Sequence, residues 1–156
     1  MVVVQIAKNF KDVDVGPTRL VRLVKTICKR FKLPAATVGI AIVNNAEMRR
    51  VNARFLNRKR TSDCLSFDLS NGSPETDKSF ELVVNGEKAV KEARLRGHSS
   101  EAELALYVTH GLLHNLGFDD SSPKKAQEMH DIEDEILQQF GYGLVYNKGK
   151  RISNIE

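Results

Sequence analysis

The chain has 156 residues, 41% of them hydrophobic, and a net charge of +4, which fits one folded domain and excludes a disordered chain. No apolar run approaches the roughly 20 residues of a membrane-spanning helix, and residues 1–6 lack the basic lead-in and cleavage site of a signal peptide, so we expect no membrane partner. Cys28 and Cys64 stand alone, which excludes a disulfide framework and a four-cysteine zinc site and favours a reduced, cytoplasmic protein.

Hydrophobic periodicity predicts alternating strands and helices in the first half of the chain. Residues 2–6 have the composition of a short strand, and residues 17–31 carry apolar positions at helical spacing with basic residues between them. A second strand is predicted over residues 38–43. Asn44 or Asn45 can cap the helix that follows. The buried face of that helix is predicted to comprise Met48, Val51 and Phe55.

The third quarter of the chain continues this alternation. Leu65, Phe67 and Leu69 alternate with polar neighbours, which predicts a strand that is buried on one side. Another strand is predicted over residues 80–84, and a helix follows near residues 87–96.

Two more helices are predicted at the end of the chain. Ser100 and Glu103 have capping-box spacing for a helix that runs to about residue 116, where Gly117 ends it. Ser122 and Pro123 begin the last helix. Its inward stripe is predicted to comprise Met129, Ile132, Ile136, Leu137 and Phe140. Together the elements predict a single α+β domain over residues 1–156, in which a small mixed β-sheet is packed with about five helices.

The most informative segment has the pattern HxxxHxxGxxD, formed by His110, His114, Gly117 and Asp120. Histidines four apart on a helix have Cβ atoms about 5–6 Å apart, so both imidazoles can reach one ion. Gly117 permits a reversal that can return Asp120 beside the helix as a third ligand. Three protein ligands leave one position open for water or substrate, as in catalytic zinc sites. The alternative is two unrelated polar positions on a helix, followed by a solvated turn.

Three further polar residues near this motif have weaker interpretations. Asp119 is expected either to cap the turn or to orient a metal ligand as a second-shell residue. His98 and His130 are expected to be surface or capping residues. His130 is also a candidate for a position near the metal, because its helix follows the motif directly.

At these residues the chain resembles the YbeY family of metal-dependent endoribonucleases, which mature ribosomal RNA in bacteria and organelles. The family hallmark, approximately HGxLHLxGYDH, appears here as HGLLHNLGFDD, and the looser signature PTDVLSFP appears at residues 61–68 as TSDCLSFD. The strand over residues 80–84 stands where the family usually has GDIVI. The resemblance implies a zincin-like metal-site helix and one divalent metal ion, held by His110, His114 and Asp120.

Two positions depart from the family pattern. Asp120 stands where the family normally has a third histidine, and an anionic ligand lowers the positive charge of the site. Two histidines and a carboxylate suit Zn first, but they also suit Fe(II) or Mn. Leu56 stands where the family often has an arginine that faces substrate, and Arg54, Arg58 or Arg60 could supply that charge instead.

A basic segment precedes the metal motif in the chain. Residues 49–60 carry six positive charges and no negative ones, and Arg50, Arg54 and Arg58 share helical spacing. An isolated stripe of this kind is more often a solvated helix face, but beside a predicted hydrolytic metal site it favours contact with a phosphate backbone. The predicted RNA-binding residues are Arg50, Arg54, Arg58, Lys59 and Arg60. An aromatic content of 6% argues against a base-stacking platform, so recognition is expected mainly through backbone charge and shape.

These observations favour a metal-dependent, single-strand endoribonuclease in ribosomal RNA processing, with His110, His114 and Asp120 as its catalytic residues. The expected partners are ribosomal RNA and the small ribosomal subunit, and DNA is not expected. One alternative is a non-catalytic RNA-binding ribosome-assembly factor with a weakened metal site. Another is a metallopeptidase, which is disfavoured because Gly111 occupies the position of the glutamate base in an HExxH motif.

Overall fold

The computed structural model describes residues 1–56, 62–72, 77–143 and 145–146. Within these residues it contains four strands and five helices, and their order is the one predicted. The elements in chain order are β1 (Val2–Lys8), α1 (Pro17–Arg30), β2 (Ala36–Val43), α2 (Asn45–Leu56), β3 (Cys64–Asp68), β4 (Lys78–Asn85), α3 (Gly86–Arg96), α4 (Ser100–Asn115) and α5 (Pro123–Gln139). No helix in the described part of the chain combines the length and hydropathy needed to cross a membrane.

The four strands form one mixed sheet in the order β1-β2-β4-β3. β1 pairs with β2 and β2 pairs with β4 in parallel, whereas β3 runs antiparallel to β4 at one edge. Ile40 of β2 stands opposite Ile6 of β1 and Leu82 of β4, so apolar residues line up across the sheet. The predicted α+β class with a small mixed sheet is confirmed.

The two faces of the sheet carry cores of different size. Alternate residues of a strand point to opposite faces, so Ile42 and Val43 face different layers. Ile42 belongs to the main core, which the sheet forms with α1, α3, α4 and α5. Val43 belongs to a small cluster on the other face, together with Met48 of α2 and Leu65 of β3. The sheet therefore separates α2 from the helices of the main core.

Helix α4 is the centre of the main core. Every residue from 102 to 113 is buried, which is the property of a helix surrounded by protein rather than of an amphipathic surface helix. It approaches the sheet closely at Gly111, where an added Cβ would lie 2.5 Å from the Cys64 Sγ. Ser66 Oγ also donates a hydrogen bond to the Gly111 carbonyl, at 2.7 Å. The sheet therefore supports α4 at the residue that follows His110.

The ends of the helices follow the predicted capping chemistry with small shifts. Asn44 Oδ1 accepts from the Glu47 amide, and Ser122 Oγ accepts from the Lys125 amide. Ser99 caps α4, so the cap lies one residue before the predicted Ser100.

Two apolar residues predicted to be buried are exposed in the structure. Phe55 is 59% exposed and Leu69, which lies beyond the end of β3, is 64% exposed. The cluster beneath α2 contains few residues, so it encloses Met48 but leaves most of Phe55 exposed, with its ring packed edge-to-face on Phe67 at a centroid distance of 5.6 Å. The buried position in the last turns of α2 is instead taken by Asn52, whose amide is hydrogen-bonded to Ser62 Oγ.

Candidate metal centre

The two histidines of α4 face each other at the end of the helix. Their Nε2 atoms are 3.0 Å apart, and their ring centroids are 4.6 Å apart. His110 is completely buried, whereas the side chain of His114 is 22% exposed. The opening of the site therefore lies on the His114 side.

The turn after α4 returns the chain towards these rings. Gly117 has a φ of 100°, a left-handed conformation that glycine adopts readily. The Phe118 amide then donates to the Leu113 carbonyl at 3.0 Å, which closes the helix end. The turn brings the Asp120 Oδ2 to 3.9 Å from the His110 Nε2 and 4.0 Å from the His114 Nε2.

These three atoms have the spacing of metal ligands. A point equidistant from the corners of their triangle, whose sides are 3.0, 3.9 and 4.0 Å, lies about 2.1 Å from each corner. Zinc binds histidine nitrogen and carboxylate oxygen at about 2.0–2.2 Å. A divalent ion therefore fits among His110, His114 and Asp120 without movement of the backbone.

The hydrogen bonds behind the rings determine which nitrogens are free to bind an ion. His110 Nδ1 lies 2.5 Å from a Glu133 carboxylate oxygen, and His114 Nδ1 lies 3.1 Å from the Phe118 carbonyl. Both partners accept only, so both Nδ1 atoms carry the proton and both Nε2 atoms present lone pairs. Two lone pairs and the Asp120 carboxylate thus converge on one point. A cation among these three acceptors would offset the repulsion between them.

The protonation states of the buried groups agree with this geometry. Burial, together with the neighbouring His110, lowers the pKa of His114, which keeps its imidazole neutral as a metal ligand requires. Burial alone would raise the pKa of Glu133, but hydrogen bonds from His110 and His130 outweigh it, and the pKa is lowered. Glu133 is therefore an anionic acceptor behind the site.

The Asp119 carboxylate is held by residues that follow it in the chain. It accepts from the Ser121 amide at 3.0 Å and from the Ser121 hydroxyl at 2.6 Å, and Lys125 lies 3.5 Å away. The hydrogen bonds from Ser121 lower the pKa of Asp119. Of the two roles predicted for Asp119, these contacts support the stabilisation of the turn.

Glu133 was not predicted as a residue of the site, although the sequence of α5 contains a signal for it. It lies four residues after Met129 and three before Ile136, within the inward stripe of α5. An acidic side chain at a core position must be paired, because burial of an isolated carboxylate is very costly. An acid in that stripe therefore predicts a partner in the core.

The expectation that the His98 and His130 side chains lie at the surface is wrong, although the His98 amide does cap the end of α3 by donating to the Ala93 carbonyl at 3.1 Å. The His130 side chain is 2% exposed and the His98 side chain 7% exposed. Each ring is held by a buried carboxylate. His130 Nδ1 lies 2.6 Å from Glu133 Oε1, and His98 Nε2 lies 2.6 Å from Glu103 Oε1. These acids supply in the core the partners that histidines otherwise find in water.

The basic residues of α2 lie on the opposite side of the sheet from α4. Arg50 pairs with Glu47 at 2.9 Å and lines an open cavity of 520 Å³ between α2 and the sheet. The Arg54 guanidinium lies 5.3 Å from the Phe55 ring centroid. The structure does not bring either arginine into contact with the metal-site residues. Arg58, Lys59 and Arg60 lie outside the described residues.

The mixed sheet, the histidine-bearing helix and the returning carboxylate define a small α+β protein of the metal-dependent hydrolase class. The family model for Endoribonuclease YbeY matches residues 5–141, so the chain belongs to the YbeY endoribonuclease family. This membership confirms the predicted family and nuclease activity, and it favours that activity over the assembly-factor and metallopeptidase alternatives.

Individual relatives agree with the family model. The chain is 34% identical over 140 residues to the endoribonuclease YbeY of Beutenbergia cavernae. The alignment covers 85% of this chain and 93% of that relative. It is 31% identical over 137 residues to the endoribonuclease YbeY of Thermobifida fusca. That alignment covers 83% of this chain and 88% of the relative. The solution structure of TM1509 from Thermotoga maritima matches with a TM-score of 0.60 and 23% identity, and covers 96% of this chain and 100% of that one. This last likeness shows the fold.

Proposed function

We propose that the chain is a cytoplasmic, zinc-dependent endoribonuclease that cleaves single-stranded ribosomal RNA precursors, with the small ribosomal subunit as a partner. The observation that carries the proposal is the convergence of the His110, His114 and Asp120 ligand atoms on a point about 2.1 Å from each. Zinc is the first choice for two imidazoles and a carboxylate, and Fe(II) and Mn suit the same ligands.

The side chains of the site have separate roles in this proposal. When bound, the cation supplies a water of lowered pKa and offsets charge on the phosphodiester. His110 and His114 contribute neutral nitrogens, and Asp120 contributes one negative charge. The Asp120 side chain is 30% exposed, so substrate enters on the side that Asp120 shares with His114. Gly111 has no room for the carboxylate that a peptidase of the HExxH type uses as its base.

The basic stripe of α2 provides the electrostatic part of RNA binding in this proposal. The stripe and the metal site are joined by the edge strand β3, because Phe67 contacts Phe55 of α2 while Ser66 hydrogen-bonds to α4. A flexible single strand can bend around such an edge, whereas a rigid duplex cannot. We therefore expect the phosphate backbone to cross β3, with Arg54 on one side and the metal site on the other.

The proposal is tested by comparing cleavage of an end-labelled ribosomal RNA fragment by four proteins that have been incubated with zinc under the same conditions. Wild type and Asp119→Ala are expected to cleave, because the Asp119 carboxylate contacts Ser121 and Lys125, neither of which is a proposed ligand. His114→Ala and Asp120→Ala are expected to reduce cleavage to background and to lose bound zinc in elemental analysis. Equal cleavage by wild type and His114→Ala would assign the activity to a contaminant. Retention of zinc by Asp120→Ala would exclude Asp120 as a ligand.

A further inference from the structure

We propose that Glu133 and His130 are positioning residues of the metal centre. In this proposal one buried carboxylate bridges the two histidines and holds His110 in the orientation and tautomer that metal binding requires. The inference rests on the proposed metal centre, and it assigns a role to two α5 residues that do not themselves bind the ion.

Glu133 uses both of its carboxylate oxygens. One lies 2.5 Å from the His110 Nδ1, and the other lies 2.6 Å from the His130 Nδ1. His110 and Glu133 have no exposed side-chain surface, and His130 has 2%. Water therefore does not compete for these hydrogen bonds, and each is stronger than it would be at the surface.

These short distances identify a hydrogen-bonded group rather than a second ion site. The nitrogen and oxygen atoms of His110, His130 and Glu133 lie close enough together for these residues to be considered as a possible metal site. Ligand atoms around a tetrahedral zinc ion would be about 3.4 Å apart, since each bond is about 2.1 Å long. The spacing of 2.5–2.6 Å leaves no room for an ion, whereas the 3.0–4.0 Å spacing of the first site does.

The carboxylate determines the tautomer of both rings. Because an ionised carboxylate only accepts, His110 and His130 must each donate through Nδ1. For His110 this leaves the Nε2 lone pair directed at the metal position, and hydrogen bonding to an anion makes a histidine a better ligand. Loss of the carboxylate would free the His110 ring to rotate and to exchange its proton between the two nitrogens.

His130 serves to hold the carboxylate still. Its ring stacks on Tyr146, with centroids 3.4 Å apart and planes inclined by 9°, so the Nδ1 position is defined by packing. Its Nε2 is buried and has no hydrogen-bond partner among the described residues. The only polar contact of this ring within that part of the chain is therefore the one to Glu133. With both oxygens occupied, Glu133 cannot turn away from His110.

The chain contains a matched control for this arrangement. His98 Nε2 lies 2.6 Å from the Glu103 Oε1, and the Glu103 side chain is as completely buried as that of Glu133. Glu103 lies on α4 with His110, but its histidine partner is not among the proposed metal ligands. Glu103→Gln therefore reproduces the loss of a buried His–Glu contact without disturbing the proposed ligand.

The experiment measures zinc affinity by competition with a chromophoric chelator for wild type, Glu133→Gln and Glu103→Gln. Glu133→Gln is expected to weaken zinc binding about 10–100-fold, whereas Glu103→Gln is expected to stay within about threefold of wild type. The absorption bands of the Co(II)-loaded proteins should change in Glu133→Gln and not in Glu103→Gln, because only the first alters ligand geometry. Circular dichroism confirms that each variant is folded.

A third variant keeps the test decisive if Glu133→Gln does not fold. His130→Phe retains a ring to stack on Tyr146 but removes the second donor to Glu133, and it is expected to weaken zinc binding by more than about threefold. Wild-type affinity in folded Glu133→Gln, or in His130→Phe, would overturn the positioning role. Absence of zinc binding by the wild type would instead refute the proposed metal centre itself.

Discussion

Gly111 determines how closely α4 approaches the sheet, and its replacement tests that geometry. A Cβ at this position would lie 2.5 Å from the Cys64 Sγ, 3.0 Å from the Ser66 Oγ and 3.3 Å from the Leu82 Cδ2. Cys64 is 1% exposed, so its sulfur has no solvent-filled space into which it can move. We therefore expect Gly111→Ala to push α4 away from β3 and to displace the adjacent His110.

Two opposing contributions determine the size of the effect. Alanine is more favourable than glycine inside a helix by about 1 kcal/mol. Overpacking a core costs about 1–3 kcal/mol, and a sulfur contact this short belongs in the upper part of that range. The net loss of unfolding free energy is then about 1–2 kcal/mol, which lowers Tm by about 2–8 °C in a chain of this length. Zinc affinity should fall as well, because His110 moves with the helix.

Cys64→Ala supplies the second half of a double-mutant cycle. Alone it leaves a small cavity and costs about 1 kcal/mol. In the double variant the new methyl group at Gly111 occupies the space of the sulfur, so the two losses should compensate rather than add. Urea unfolding of the four proteins measures the coupling. Equal stability of Gly111→Ala and wild type, or strictly additive losses, would refute the explanation.

Three further predictions follow from other contacts. Lys88 Nζ lies 2.5 Å from the Asp63 Oδ1, and burial raises the pKa of Asp63 although Lys88 opposes this shift. Lys88→Met should therefore reduce the unfolding free energy by about 3 kcal/mol near neutral pH, because it leaves a buried carboxylate unpaired. The loss should become smaller at acid pH as Asp63 is protonated, which urea unfolding across pH measures. Burial raises the pKa of the Cys28 and Cys64 thiols, so neither should react with a disulfide reagent until urea unfolds the chain; rapid labelling of the native protein would contradict this. Arg54→Gln should weaken binding of RNA of any sequence and reduce the salt dependence of the affinity by about one charge, measured by anisotropy titration, and an unchanged salt dependence would remove Arg54 from the interface.

Local patterns in the sequence were sufficient to predict the order of the strands and helices along the chain and the three proposed ligands. The spacing of His110 and His114 follows from the helical repeat, so their neighbouring rings could be predicted without the tertiary fold. The return of Asp120 could be predicted for the same reason, because Gly117 lies within the turn that it forms. These features depend on residues that are close together in the chain.

The order of the strands within the sheet and the surroundings of the proposed ligands depend on contacts between residues that are distant in the chain. Only the tertiary structure decided them. Periodicity showed that α2 has an apolar stripe, but it did not show that the cluster beneath it is too small to enclose Phe55. The pairing of Glu133 with His110 joins residues 23 apart on different helices. Whether an acid is solvated or is a buried acceptor depends on how α5 packs against α4, and helix packing is not encoded in the spacing of either helix alone.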